Sequence, residues 1–131
     1  MAQDGMKNYT ISVDDKLKII RYRHTGNIPR KELGEAWTEI LNIDEFTQQE
    51  FHLLADYRGA TFNFSIDETK AIDQFLIAHK ALLKGKKEAL IVDNPFTTVV
   101  AILFEDKLYA QTGFEIKAFS TEHAAIRWLI G

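Results

Sequence analysis

Two short clusters hold most of the groups in this chain that could do chemistry. Asp56-Tyr57-Arg58-Gly59 closes one apolar run, and Asp93-Asn94-Pro95-Phe96-Thr97 closes another. An arginine holds a carboxylate or phosphate through paired N–H donors, and a neighbouring tyrosine can stack or donate its O–H. Asp56, Tyr57, Arg58, Asp93 and Asn94 are therefore candidate ligand or partner contacts. A plainer account of the same residues exists: Asp56 and Asp93 pair with nearby cations, and Asn94 caps a helix. Phe62 and Phe64 are added to the candidates, because Phe62-Asn63-Phe64 falls in an expected loop. Aromatic side chains there either fold over the core or form an apolar patch for a lipid tail or a second copy of the chain.

Other chemistry is poorly supported. The four histidines, His24, His52, His79 and His123, form no H-E-x-x-H or i, i+4 pair of the kind that holds a metal. His79 lies on an apolar helical stripe and reads as a core or boundary residue. His123 falls in the first turn of a helix, where added positive charge is unfavourable. The chain lacks G-x-S-x-G, G-x-x-x-x-G-K-[ST] and G-x-G-x-x-G, and has no cysteine. The expectation is a non-enzymatic protein with no metal and no cofactor. Lys84-Gly85-Lys86-Lys87 reads as a solvated turn. With 16 basic and 19 acidic residues the net charge is −3, which gives nucleic acid no electrostatic footprint.

Some scaffold must position these groups. Tyr9–Val13 and Leu17–His24 alternate apolar and polar about Asp14-Asp15-Lys16, which predicts an antiparallel hairpin ended by Thr25-Gly26-Asn27. Pro29 then starts a helix with Leu33, Ala36, Trp37, Ile40 and Leu41 on one face. Phe51–Tyr57 reads as a strand. Ser65-Ile66-Asp67-Glu68 has the form of a capping box, and Ile72, Phe75, Leu76, His79, Leu82 and Leu83 form one helical stripe ended by Lys84-Gly85. Glu88–Asp93 reads as a strand buried on both faces. The β-branched Thr97–Val100 also suits a strand, but the Asn94-Pro95 cap, the length and Gly113 favour a helix over Phe96–Thr112; Glu115–Phe119 is a last strand, and Ser120–His123 opens a last helix with Ala124, Ala125, Trp128 and Leu129 inward. The alternation predicts an α/β domain whose sheet is mostly parallel.

The stretch Phe114–Leu129, together with this element order, resembles the closing strand and helix of SpoIIAA-like proteins of the STAS group. Their fold is related to the CRAL-TRIO lipid-binding fold. The resemblance implies a mixed five-stranded sheet, first strand antiparallel, with about four helices, and a bacterial regulatory or binding role rather than catalysis. Antagonists of that group are switched by phosphorylation of a serine in an Asp-x-Ser-Gly-like turn. Here the turn reads Asp56-Tyr57-Arg58-Gly59, so the acceptor serine is missing. Thr61 and Ser65 lie downstream as other hydroxyls, and Ser65 is read as a helix cap.

The 131 residues, 46% hydrophobic and 27% charged, fit one folded domain over 8–131 behind a loose polar tail at 1–7. The tail has no signal-peptide run, and the longest apolar stretch, Val99–Phe104, is far short of the ~20 residues of a membrane span. The expected location is cytoplasmic. Two functions from different classes follow as expectations: a regulatory protein-interaction module, possible as a homodimer, or a carrier of a small apolar ligand.

Overall fold

A computed structural model describes residues 8–94 and 108–131. Strands β1 (Tyr9–Asp14) and β2 (Ile19–His24) pair antiparallel. The turn between them is closed by Asp14, whose Oδ1 accepts the Leu17 N–H at 3.0 Å. That turn takes in Leu17 and Lys18, so β2 starts at Ile19 rather than Leu17.

The expected end of the hairpin is itself a strand, β3 (Gly26–Pro29). It pairs in parallel with β5 (Ala60–Asn63) in a separate two-stranded sheet, with Ile28 opposite Phe62. Gly26 at φ 77° donates its N–H to Gly59 O at 3.0 Å, and Gly59 itself sits at φ 79°. Both conformations favour glycine. Phe62 thus belongs to a strand and not to the loop its composition suggests.

Helix α1 (Arg30–Leu41) follows Pro29 at its N-cap and buries Leu33, Ala36, Trp37 and Ile40, the expected stripe. A short helix α2 (Asp44–Thr47), not anticipated, buries Phe46 beneath it. After β4 (His52–Asp56) and β5 comes α3 (Ile66–Ala78), whose capping box between Ser65 and Glu68 is complete in both directions. The expected single helix through Lys84 is two. His79 leaves helical geometry at φ −106°, ψ 20°, with its Nδ1 on Phe75 O at 2.8 Å, and α4 (Lys80–Leu83) restarts behind it.

Strands β6 (Lys87–Ile91) and β7 (Glu115–Phe119) complete the main sheet. Helix α5 (Glu122–Ile130) is capped by Thr121, which accepts the Ala124 N–H at 3.2 Å. Of the helix expected over 96–112, residues 108–112 are helical and stop at Gly113, φ 70°; the rest lies outside the described residues.

The five-stranded sheet has the order β1-β2-β4-β6-β7, antiparallel only at β1–β2. On one face Ile20, Tyr22, Leu53, Ala55, Leu90 and Ile116 pack under α1 and α3 in the larger core. On the other, Ile19, Leu54, Ala89 and Ile91 pack against Ala125 and Leu129 of α5. The chain is mixed α/β, with the first strand antiparallel as expected.

Candidate functional site

Parallel register sets the main site. Ile20, Leu53, Glu88 and Ile116 stand side by side across β2, β4, β6 and β7 on the face covered by α1 and α3. Three members of that row are apolar and the fourth is a glutamic acid. The next row, Tyr22, Ala55, Leu90 and Ala118, contains two alanines and leaves space above the strands.

That space is a cavity of about 40 Å³, enough for more than one water. Leu33 and Trp37 of α1 and Ile72 and Leu76 of α3 form its outer wall. Tyr57, Phe62 and Phe64 form one side, and Leu90, Ile116 and Glu88 form the floor. Glu88 is 3% exposed, and burial in these surroundings raises its carboxyl to about 8, so at neutral pH it is chiefly a carboxylic acid. Among the described residues it makes no hydrogen bond. A second hollow of about 60 Å³ lies between α1 and α3, lined by Leu33, Trp37 and Ile72 together with Arg30, Gly34, Ala71 and Phe75.

A buried polar chain leads away from the cavity. Tyr57, 3% exposed, packs edge to face on Tyr22 with ring centroids 5.6 Å apart, and the Tyr22 hydroxyl meets Nδ1 of His24 at 2.5 Å. His24 has no solvent exposure, and its Nε2 meets Glu32 Oε1 at 2.6 Å. A carboxylate only accepts, so the His24 proton sits on Nε2 and Nδ1 accepts from Tyr22. The Tyr22 hydroxyl and the imidazole then donate in the same sense, towards Glu32 of α1. Burial lowers the His24 pKa, partly opposed by Glu32, and raises both tyrosines far above neutral. Tyr9 tops the cluster, its ring tilted over His24 and its hydroxyl on Glu39.

The residues picked out from the sequence divide into three groups. Tyr57, Phe62 and Phe64 converge on the cavity, with Tyr57 and Phe62 edge to face at 4.9 Å. Asp56 and Arg58 turn the other way. Arg58 grips Asp56 through Nε and Nη2 at 3.0 and 2.7 Å, while Arg23 holds the same carboxylate at 2.5 Å. Burial opposes ionisation of Asp56, but the bonds from Arg58 and the charge of Arg23 outweigh it and hold its pKa below the usual value. Asp93 and Asn94 brace the turn: Asp93 accepts the Gly59 N–H at 3.1 Å, and Asn94 donates to Ala60 O at 2.9 Å. Arg58 thus meets a carboxylate of its own chain, and Tyr57 is spent inside.

Of the remaining sequence readings, Lys86 departs from its expected solvated turn. It is buried, with its ammonium on the carbonyls of Gln49 and Phe51. His52 accepts the Lys87 N–H at 3.0 Å, and His24 is the centre of the polar chain. Neither Glu88 nor the chain behind Tyr57 was picked out from sequence. Tyr22 and His24 did carry a signal, since i, i+2 spacing in a strand puts both on one face.

No protein-family model matches this chain, and neither does any curated protein. Among solved structures it is similar to an uncharacterized protein from the DUF3478 family with a SpoIIAA-like fold, from Shewanella loihica. The match has a TM-score of 0.61 at 14% identity and covers 96% of this chain and 97% of that one. The fold of this chain is therefore SpoIIAA-like, as the element order and the Phe114–Leu129 stretch had suggested.

Proposed function

We propose that this chain is a non-catalytic binding module that takes a small, largely apolar ligand between α1, α3 and the sheet. One observation carries the reading. Among the described residues the wall of the cavity is apolar and aromatic apart from the Tyr57 hydroxyl and Glu88, whose buried carboxyl has no protein hydrogen bond among them. Buried polar groups without partners are rare, and ligand sites combine apolar walls with a few placed polar groups. The outer wall is also light: in α3 the buried residues among the described side chains are Asp73 and Leu76.

The test is native mass spectrometry of the protein purified from its own host. The expected spectrum shows a small apolar adduct that is lost in Leu76→Trp, which fills the space. A bare wild-type mass contradicts the reading.

A second reading, a regulatory module working through protein contact, has its own support. Helix α5 packs over β4, β6 and β7, and beside it lies an open groove of about 230 Å³ lined by Thr10, Ser12, Arg21, Arg23, Asp56 and Glu122. Arg58 approaches Glu122 at 3.9 Å along its rim. This mixed-charge surface suits a protein partner or a second copy of the chain. Loss of a pulled-down partner, or of a dimer, in the Arg23→Ala/Arg58→Ala double variant supports it; unchanged association removes it.

A further inference from the structure

We propose that Glu88 acts as a carboxylic acid that donates a hydrogen bond to an oxygen on an uncharged ligand, so the cavity selects ketones, amides and alcohols over ionised amphiphiles. This rests on the cavity being a ligand site and names its ligand class. The geometry supplies the argument. Glu88 stands between Leu53 and Ile116 in the middle of an apolar row, lines the cavity, is almost wholly buried and has no protein partner among the described residues. A carboxyl so placed either keeps its proton or requires a cation, and among the described residues no lysine, arginine or histidine lines this cavity; Arg30 lines the second hollow, where it reaches Glu68 at 3.6 Å.

Among the described residues, each neighbouring element sets an apolar group against it. Leu33 and Trp37 come from α1, Ile72 and Leu76 from α3, Leu53 from β4 and Ile116 from β7, none of which titrates. Among the described residues its ionisable neighbours are Tyr57 and Tyr22, both held neutral by burial. Glu88 is the one carboxyl among the described residues that line the cavity. An ionised carboxylate or phosphate head would meet an acid and no counter-charge. An ammonium head would create a buried ion pair whose desolvation offsets its attraction.

The experiment is calorimetric titration with three ring-matched probes, cyclohexane, cyclohexanone and cyclohexylammonium. The expected order for the wild type is cyclohexanone tighter than cyclohexane by about three- to tenfold, with cyclohexylammonium weakest. Glu88→Gln keeps a donor and retains the ketone preference, whereas Glu88→Leu abolishes it. In the wild type the preference fades as pH rises through about 8, and in Glu88→Gln it does not. That pH profile needs no variant that could fail to fold. Equal binding of cyclohexane and cyclohexanone overturns the role of Glu88 but leaves the cavity as a site. Tighter binding of cyclohexylammonium overturns it in favour of an ion pair. Failure of every probe to bind removes both the role and the ligand site.

Discussion

Tyr22 and His24, two residues apart on one face of β2, are joined at 2.5 Å by a hydrogen bond in which both side chains are buried. The bond settles the imidazole tautomer and links the cavity side of the sheet to Glu32 on α1. Tyr22→Phe leaves His24 Nδ1 buried without a donor. The expected cost is about 1–3 kcal/mol, larger than for a solvent-facing hydroxyl. Urea unfolding of Tyr22→Phe, His24→Ala and the double variant checks this. The two costs should fall well short of adding, because each change breaks the same chain.

Acid stability follows from the histidines. Burial lowers the pKa of His24 below 6.5, and burial with Lys86 and Lys87 nearby does the same for His52. As pH falls below 6.5 the unfolded chain takes up protons that the folded chain refuses, so stability falls. Above 6.5 neither state holds these protons and the effect vanishes. Ring-proton NMR should show both residues titrating below 6.5.

Glu88 acts in the opposite direction. Its folded pKa of about 8 lies above the ordinary 4.5, so between those values the folded state binds the extra proton. Stability contributed this way is fully present below 4.5 and is lost as pH rises through about 8. At pH 7 the cost is on the order of 3 kcal/mol. Glu88→Gln removes the ionisable group, so it should be more stable than wild type at pH 7 by roughly that amount. The two should converge near pH 4 in denaturant titrations.

The Asp56 turn should behave asymmetrically. Arg58 is partly exposed, so solvent screens its pair with Asp56, and Arg58→Ala should cost less than about 1 kcal/mol. Asp56→Ala removes the acceptor of Arg23, of the Arg58 side chain and of the Arg58 N–H together. Its expected cost is about 1–3 kcal/mol. Thermal unfolding of the two variants separates them.

Local signals carried much of the fold. The Ser65–Glu68 box, the Asp14 turn and the Leu33–Ile40 stripe each specify an element through residues a few positions apart, and all formed. Strands β3 and β5 were hidden because Gly26-Asn27-Ile28-Pro29 has turn composition and needs a partner more than 30 positions away. The helix break at His79 depends on its ring binding Phe75 O, which periodicity does not report. Glu88 was hidden for a related reason. In sequence it borders the apolar run Ala89–Val92 and looks terminal, and only the pairing with Leu53 and Ile116 puts it beneath the helices. Tyr57 was noticed for chemistry, but its direction depends on strand phase: it follows Leu53 and Ala55 inward, while Asp56 and Arg58 point away.

The most direct test is site-resolved carbon NMR of the Glu88 carboxyl, titrated with pH in the free protein and with cyclohexanone bound. The account predicts a midpoint near 8 when free, a higher midpoint with the ketone present, and matching shifts at Trp37 and Phe62 in the cavity wall. A midpoint near the ordinary 4.5, with no response of those aromatic residues to the ketone, would contradict it.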